Sequence, residues 1–349
     1  MKNITTACGV IGGLLLIGTS SGAQETAQGA AHAPRMARLV QIDGARAQGR
    51  APARGARPPL GPEVTESFSR TVKLGSKNGF ELATGLGQVT ITGTSGDDVR
   101  IEAVKRVRHQ NADAGRALLQ RVAVRISERG GLVEALTEIT RAGQPVFVDY
   151  TISLPSRAAV GVKTFGGDIR VTNVKGELRI EAAGGNITLS SVGAIRKAKT
   201  LVGTVTITDA EGDDINAETT SGTLQVRNVR AESIELGAVT GNIIVSDVRC
   251  DRCTMKTISG NIEFTGPLVP GGRYDMQSNS GNVRLVPTGP ASFDIEARTY
   301  GGKINSEFPL TASPGNPSRE GILRGSYGDE SGAILSLTSF TGSVTVARK

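Results

Sequence analysis

The sequence predicts an all-β fold, a single-chain β-solenoid (β-helix-like) with coils of about 18–21 residues and one short decorating helix. A glycine recurs at near-constant spacing through the second half of the chain, and a period of roughly 20 residues is typical of stacked repeat folds. These marker glycines, predicted to be structural corners, are Gly167, Gly185, Gly203, Gly222, Gly241, Gly260, Gly281, Gly302 and Gly342. The 40-residue step from Gly302 to Gly342 predicts two coils, one of which has lost its marker.

Two strands are predicted in each coil. Residues two and four positions after a marker glycine are apolar, as at Ile169 and Val171, and the residue between them is usually polar. Such alternation is typical of a strand buried on one face. A second strand follows, as at Leu178 and Ile180, and a small residue such as Gly176 precedes it and predicts one corner. The marker glycine makes the other corner, where positive φ or close backbone approach favours glycine.

No helical period separates these strands, so they are not βαβ units and should pair in parallel between successive coils. A lone coil buries too little apolar surface to offset the entropy lost on ordering its backbone, so only the stack is stable. Spacing alone leaves the handedness of the coil open, and it leaves flat and triangular cross-sections as alternatives.

Residues 1–23 are predicted to be a secretory signal peptide. Lys2 provides the basic start, a short apolar run follows, and Ala23 ends a small-x-small cleavage site. The run is too short to span a bilayer and no later run qualifies, so no transmembrane span is predicted. The protein is therefore expected to be exported, and to be periplasmic or at the cell surface or extracellular.

Residues 24–62 are predicted to be a disordered linker, because they are rich in Arg, Ala, Pro and Gly and lack apolar periodicity. Between residues 35 and 57 the single acid Asp43 faces six arginines: Arg35, Arg38, Arg46, Arg50, Arg54 and Arg57. This segment is either a tether to anionic envelope polymer or lipid headgroups, or a solvated linker.

Residues 63–349 are predicted to form the β-solenoid domain. Residues 63–155 supply N-terminal strands and a short helix over 111–120, and residues 156–349 supply the regular coils. Residues 311–330 are rich in Gly, Ser and Pro and are predicted to loop out of a late coil. Charged surfaces at both ends are expected to protect the terminal strands from pairing with other chains.

Three phrases of the sequence resemble a known family. They are Val-Asp-Tyr-Thr-Ile-Ser-Leu-Pro at 148–155, Val-Gly-Val-Lys-Thr-Phe-Gly-Gly-Asp-Ile-Arg-Val at 160–171, and Leu-Ser-Leu-Thr-Ser-Phe-Thr-Gly-Ser-Val-Thr-Val at 335–346. With the Ser-Gly-Asn-Ile type corners, they resemble the bacterial putative-adhesin family, a domain of unknown function related to auto-transporter-adhesin head domains. The resemblance runs from about residue 64 to the C-terminus. It implies an exported β-solenoid without established catalytic residues, which favours binding over chemistry.

The sequence predicts no catalytic, cofactor-binding or metal site. The two histidines, His32 in the linker and His109 beside the helix, are too few for a multi-histidine metal site and argue against a catalytic triad. Outward residues of the second strands mix charge signs, as at Glu177, Arg179 and Asn216, which indicates a salt-bridged face rather than the stacked acids of a polysaccharide-cleaving solenoid. Trp is absent, so platforms for sugar stacking are scarce.

Cys250 and Cys253 form a Cys-Asp-Arg-Cys motif with three alternatives: a local disulfide, two buried free thiols, or a redox pair. A redox pair needs a helix N-terminus to lower a thiol pKa, whereas both cysteines occupy positions of the solenoid repeat. The possible disulfide and the buried thiols are therefore favoured over redox catalysis.

The residues after the first eight marker glycines form a polar column: Asp168, Asn186, Thr204, Thr223, Asn242, Asn261, Asn282 and Lys303. Asparagines in successive coils can form an amide ladder along a stack, and asparagine tolerates left-handed backbone geometry. A structural column is therefore favoured over a ligand-binding stripe.

These features predict an exported, non-enzymatic, adhesin-like β-solenoid that serves as an interaction or structural protein of the cell envelope or surface. Two alternatives stay open: a polysaccharide-acting β-helix enzyme of the envelope, and a periplasmic scaffold or sensor in an envelope-stress system. The partner is unknown, with an anionic envelope polymer and a surface protein as candidates. The net charge of +7 would suit nucleic acid, but the export signal and the dispersed lysines argue against it.

Overall fold

A computed structural model describes residues 61–74, 79–140, 143–312, 318–329 and 332–349. The predicted signal peptide and all but the last two residues of the predicted linker lie outside the described residues, so both stay predictions. The described strands are hydrogen-bonded into one continuous 24-stranded sheet with a single short helix, which confirms the predicted all-β solenoid.

The part before the regular coils comprises β1 (Glu63–Lys73), β2 (Gly79–Leu86), β3 (Val89–Thr94), β4 (Asp98–Arg108), α1 (Ala112–Leu119), β5 (Val122–Arg129), β6 (Leu132–Ile139) and β7 (Phe147–Pro155). The helix begins after Asn111, whose Oδ1 accepts hydrogen bonds from the backbone N–H groups of Asp113 (2.8 Å) and Ala114 (3.1 Å). This N-cap satisfies donors that the first helical turn leaves unpaired, and it lies where the sequence predicts the helix to start.

The regular coils comprise β8 (Ala159–Gly166), β9 (Ile169–Thr172), β10 (Leu178–Gly184), β11 (Ile187–Ser190), β12 (Ile195–Val202), β13 (Val205–Thr208), β14 (Glu211–Ser221), β15 (Leu224–Thr240), β16 (Ile243–Ser259), β17 (Ile262–Gly266), β18 (Arg273–Ser280), β19 (Val283–Pro287), β20 (Phe293–Thr299), β21 (Ile304–Ser306), β22 (Ile322–Tyr327), β23 (Ala333–Ser339) and β24 (Val344–Val346). The apolar residues two and four positions after the marker glycines are buried in most coils, so the core lies inside the stack.

Successive coils pair in parallel and in register. Ile169 of β9 pairs with Ile187 of β11, which pairs with Val205 of β13. Residues one repeat apart therefore lie one above the other. β15 and β16 each run through a whole coil and pair in three successive stretches. The middle stretch, which includes the pair Ala231 and Cys250, lies between the two stretches that correspond to the separate strands of the other coils.

The marker glycines lie in the bends between the two strands of a coil. Gly241 has φ +154°, and a Cβ on it would lie 1.6 Å from the carbonyl oxygen of Gly222 in the preceding coil. Gly302 is outside the left-handed region, yet a Cβ on it would lie 2.2 Å from the carbonyl oxygen of Gly342. Close approach of the neighbouring backbone is therefore the reason for glycine that these corners share.

The opposite corner of the coil contains a left-handed residue that sequence analysis missed. It stands six positions after the marker glycine, with φ between 50° and 58°, in five coils: Asn173, Ser191, Asp209, Asn228 and Asp247. Short polar side chains tolerate this conformation because they can hydrogen-bond locally. The predicted small residue follows it, and a Cβ on Gly176 would lie 2.1 Å from the carbonyl oxygen of Ala158.

The prediction of a second coil with a lost marker between Gly302 and Gly342 is wrong, because the described residues between β21 and β23 contain only β22, which pairs antiparallel. The coils at the C-terminal end also do not stack in sequence order. β23 pairs in parallel with both β18 and β20, and β24 pairs with both β19 and β21. The last coil of the chain therefore lies between two coils that precede it. The predicted 311–330 loop is also partly wrong, because it contains β22, which pairs antiparallel with β20 and satisfies the outer edge of that strand.

Antiparallel strands close the N-terminal end of the stack. β2 and β3 pair in parallel with β8 and β9, and β6 and β7 pair with their outer edges. Beyond these, β5 pairs with β6, β4 with β7 and β1 with β4, all antiparallel. The outermost strand β1 carries Glu63, Glu66, Arg70 and Lys73, and charges on an edge strand oppose pairing with another chain.

Candidate interaction surface

Glu177 on the outer face of the coils is held by two arginines. Its carboxylate accepts hydrogen bonds from Nε of Arg179 (2.9 Å) and Nε of Arg196 (3.2 Å), and Arg196 also pairs with Asp214. Slight burial raises the pKa of the Glu177 carboxyl, but the hydrogen bonds and charges of the two arginines outweigh it and hold that pKa below its ordinary value. A general acid needs the opposite shift, so the geometry makes Glu177 a member of an ion-pair network.

Glu296 repeats this arrangement near the C-terminal end. Arg324 donates to its Oε1 (3.1 Å), and Arg298 pairs with the same oxygen. The hydrogen bond from Arg324 lowers the pKa of the Glu296 carboxyl, with desolvation opposing it and Arg298 reinforcing it. Both carboxylates are thus ionised and paired at neutral pH, as on the salt-bridged face that the mixed charges predict.

Cys250 and Cys253 are joined by a disulfide in the structure, with their Cα atoms 6.0 Å apart. Both residues are buried on β16, and the hydroxyl of Tyr274 donates to the carbonyl oxygen of Cys250 (3.3 Å). A redox-active cysteine needs solvent access and a group that lowers its pKa, such as a helix N-terminus. Burial on a strand gives this pair neither.

The polar column after the marker glycines joins successive coils. Oδ1 of Asp168 accepts a hydrogen bond from the backbone N–H of Asn186 (2.8 Å), and Oδ1 of Asn186 accepts from the N–H of Thr204 (2.9 Å). Asn242 and Asn261 repeat the bond (2.8 Å). The column is therefore mainly a ladder from side chain to backbone rather than the predicted amide-to-amide ladder, because it satisfies N–H groups at the bends.

A buried hydroxyl column, which sequence analysis missed, lies three positions before the marker glycines. It consists of Thr164, Thr200, Thr219, Thr257, Ser278, Thr299 and Ser339. Thr200 Oγ1 donates to the carbonyl oxygen of Gly185 and Thr219 Oγ1 to that of Gly203, both at 3.0 Å. The signal in the sequence is the recurring Thr-x-x-Gly or Ser-x-x-Gly phrase, which places one hydroxyl against each bend of the neighbouring coil.

The next position along, two residues before the marker glycine, forms an exposed apolar stripe on the long strands. We define the apolar stripe as Phe165, Leu201, Val239, Ile258, Phe340 and Tyr300, in the order of the stack. Their exposed fractions run from 43% at Val239 to 73% at Tyr300, and the rings of Tyr300 and Phe340 are 5.0 Å apart. Ala183, Thr220 and Asn279 complete the column.

The apolar stripe crosses nine rungs of parallel sheet, which spans about 38 Å at the usual strand separation. A line of exposed apolar side chains of this kind, broken here by Thr220 and Asn279, typically marks an interaction site. Sequence analysis missed it because the exposed residues are scattered from Phe165 to Phe340 and only stacking brings them into a line.

A recess interrupts the face beside the middle of the stripe. We call it the Gly237 recess; its volume is about 450 Å³, and Gly237, Glu218, Lys256, Val239 and Ile258 line it. A Cβ on Gly237 would find its nearest neighbour, Cγ of Glu218, at an ordinary 3.7 Å, and φ there is not left-handed. Neither backbone geometry nor packing within the chain therefore requires this glycine.

The described residues of this surface offer neither a metal site nor a histidine placed for catalysis. The described residues contain no group of three or more His, Cys, Asp or Glu side chains that could hold a metal ion. His109 Nδ1 accepts a hydrogen bond from the N–H of Asn111 (3.0 Å) beside α1, whereas His32 lies outside the described residues. In the same part of the chain, no helix is long and apolar enough to cross a bilayer.

The fold and the surface define a repeat protein of stacked β-coils with an extended apolar stripe along one face. Residues 169–321 match the family model described as Toastrack DUF4097, and this match confirms the resemblance drawn from the sequence phrases. No curated protein matches the chain.

Several solved structures are similar to this chain, among them the following three. One is a putative adhesin from Parabacteroides distasonis ATCC 8503, with 13% identity, 81% of this chain and 97% of that chain covered, and a TM-score of 0.45. Another is a putative lipid binding protein from the same strain, with 10% identity, 80% and 96% coverage, and a TM-score of 0.45. The third is a putative adhesin from Bacteroides fragilis NCTC 9343, with 15% identity, 81% and 97% coverage, and a TM-score of 0.41.

Proposed function

We propose that this chain is an exported, non-enzymatic, adhesin-like β-solenoid that acts at the cell envelope or surface as an interaction protein. The apolar stripe carries the proposal. Burying each exposed apolar side chain would contribute about 1.5–3 kcal/mol at most, so a line of six along the stack gives a binding surface without any deep pocket.

The charged groups on the outer face support binding over chemistry. An enzyme that hydrolyses polysaccharide typically uses a carboxyl with a raised pKa and a second carboxylate close to it. The arginines around Glu177 and Glu296 instead lower the pKa of both acids. Such paired charges suit a solvated rim around an apolar contact surface.

Two parts of the chain are expected to contribute in different ways. The arginines of the predicted linker would attract an anionic envelope polymer, and this attraction weakens as salt screens it. The apolar stripe would contribute contacts that salt does not weaken. Salt dependence therefore separates the two contributions in one measurement.

The test is cosedimentation of the full chain with purified envelope fractions, at low and at high salt. Val239→Asp places a charge in the middle of the apolar stripe, and Ile244→Asp is its control, because Ile244 is similarly exposed (38%) but lies beyond the Gly241 bend. We expect Val239→Asp to lose the binding that persists at high salt and Ile244→Asp to keep it. Equal binding by both variants at high salt would exclude the stripe as the contact surface.

A further inference from the structure

We propose that the apolar stripe is covered by a second copy of this chain, in an antiparallel two-fold pair whose axis runs along the β15 segment that contains Gly237. The inference rests on the proposed function, because it names the partner of the same surface. Three features of the face are arranged symmetrically about that segment: the two charges that flank Gly237, the recess and the aromatic ends of the stripe.

The two charges that flank Gly237 are self-complementary. Glu218 lies one rung from Gly237 on one side, and Lys256 lies one rung from it on the other. A two-fold axis along the middle rung exchanges these two rungs. It therefore places Glu218 opposite Lys256 of the partner subunit, and Lys256 opposite Glu218 of the partner subunit, which gives two symmetry-related ion pairs.

Glu218 is already paired with Lys199 through a 2.7 Å contact, whereas Lys256 has no carboxylate partner within the described part of the chain. The partner's Lys256 would thus complete a network of one carboxylate between two ammonium groups. The pKa of Lys199 is raised by its hydrogen bond to Glu218, so the Lys199 ammonium is charged at neutral pH.

The Gly237 recess lies on the proposed axis. Glycine inside a strand is unfavourable and often marks a place where another backbone approaches closely. Since nothing within the chain requires glycine here, a close approach from outside the chain explains it. In the two-fold pair each Gly237 faces the other, and the two recesses merge where both copies contribute Val239.

The two ends of the apolar stripe lie at equal distances from the same rung. Its two most exposed members, Phe165 (71%) and Tyr300 (73%), lie four rungs from Val239 in opposite directions. The two-fold axis brings Phe165 of one copy against Tyr300 of the partner subunit. At these ends the axis also sets Lys163 against the partner's Arg298, a like-charge contact that Glu296 offsets in part, since its one carboxylate pairs with both Arg298 and Arg324.

The area suits a stable pair. The contact face is about 38 Å long across its nine rungs. It is about 20 Å wide along each strand, over the six residues that lead from the outward charges to the bend. The product, roughly 760 Å² for each copy, is close to the roughly 800 Å² that each partner buries in a standard protein interface.

The first test is the oligomeric state of the full chain, measured by sedimentation velocity over a range of concentrations. We expect a dimer that Val239→Asp dissociates at least about 100-fold more readily, because two carboxylates would meet on the axis. Ile244→Asp should leave the dimer intact. Wild-type chain that is monomeric at every concentration would overturn the proposal.

A charge reversal tests the pairing. Lys256→Glu should weaken the dimer, because it opposes Glu218 of the partner subunit. Adding Glu218→Lys and Lys199→Glu restores both the pair within the chain and the pair across the axis, so the triple variant should dimerise like the wild type. A triple variant as weak as Lys256→Glu would contradict this pairing.

Disulfide mapping tests the orientation. Cys8, in the predicted signal peptide, is the third cysteine of the chain beside Cys250 and Cys253, so the full chain carries Cys8→Ser in these experiments. Val239→Cys should cross-link with itself, whereas Phe165→Cys and Tyr300→Cys should cross-link only when the two variants are mixed. Cross-linking of Phe165→Cys with itself would indicate parallel copies and overturn the antiparallel pair.

The outcomes also separate this inference from the proposed function. A monomer whose envelope binding depends on Val239 leaves the proposed function standing and overturns the dimer. A dimer that shows the expected cross-links but binds no envelope fraction supports the two-fold pair and overturns the proposed function.

Discussion

At the scale of single residues, two glycines four positions apart have different roles. Gly237 lies on β15, and Gly241 lies at the bend that follows this strand. Gly241 lies at a bend where the preceding coil would clash with any side chain, with 1.6 Å from an added Cβ to the Gly222 carbonyl oxygen. Gly237 has ordinary backbone geometry and open space above it. One glycine is thus required by folding, and the other is available for an interaction surface.

Substitution of these two glycines should have opposite effects on stability. Gly241→Val should destabilise the protein by at least about 3 kcal/mol, because overpacking and an unfavourable φ act together. Gly237→Ala should change the free energy of unfolding by less than about 1 kcal/mol and tend to raise it, since alanine reduces the entropy of the unfolded chain. Chemical denaturation measures both.

A Gly241→Val variant that unfolds like the wild type would contradict the close contact between the coils. Marked destabilisation by Gly237→Ala would show instead that the recess is needed for packing, and would remove the argument for an external partner there.

At the scale of elements, the last coil decides how the C-terminal part of the stack holds together. β23 is the parallel partner of both β18 and β20. It therefore joins two coils that both precede it in the chain. Without β23, β20 would keep only its antiparallel pairing with β22. A strand with one short partner is marginal in water.

Removal of residues 330–349 should therefore release more than the deleted strands. We expect amide hydrogens of β20, β21 and β22 to exchange rapidly in the truncated chain, while those of β8 to β16 stay protected, because repeat stacks are stabilised by neighbouring coils. Hydrogen exchange detected by mass spectrometry measures this.

A chain that lacks only Lys349 is the control for that truncation and should exchange like the wild type. Continued protection of β20 in the longer truncation would mean that this strand can stack directly on β18, in sequence order, and would contradict the special role of the last coil.

At the scale of the whole molecule, the outer face is held by ion pairs between neighbouring strands and coils, with carboxylates whose pKa values lie below the ordinary value at Glu177 and Glu296. A group whose pKa is lower in the folded state stabilises that state above its unfolded pKa. The contribution disappears as pH falls through the folded pKa.

Thermal stability should therefore decrease as pH is lowered from about 6 to about 3, across the ordinary titration range of glutamate. The double variant Glu177→Gln/Glu296→Gln should melt at a lower temperature than the wild type at pH 6 and should lose less on acidification. Calorimetry at several pH values measures this, and an unchanged pH slope in the double variant would exclude these two ion-pair networks as its cause.

Much of the coil was predictable from the chain because each repeat solves the same local problem. Ile187 and Leu189 alternate with polar neighbours, so the sequence predicts that both are buried, and Gly185 marks the bend. The short helix was predictable for a similar reason, since Asn111 is an N-cap that acts on the next few residues. Left-handed corner residues such as Asn228 carry an equally local signal, which sequence analysis overlooked.

The sequence by itself determined the fold class, the repeat length and the inward and outward faces of each strand, because these depend on backbone geometry within about one coil. Only the tertiary structure decided that the last coil inserts between two earlier ones, and that Phe340 lies beside Tyr300. It also decided which charges lie beside Gly237. Neighbours across a parallel ladder are set by the stacking of whole coils, and spacing along the chain alone does not encode that order.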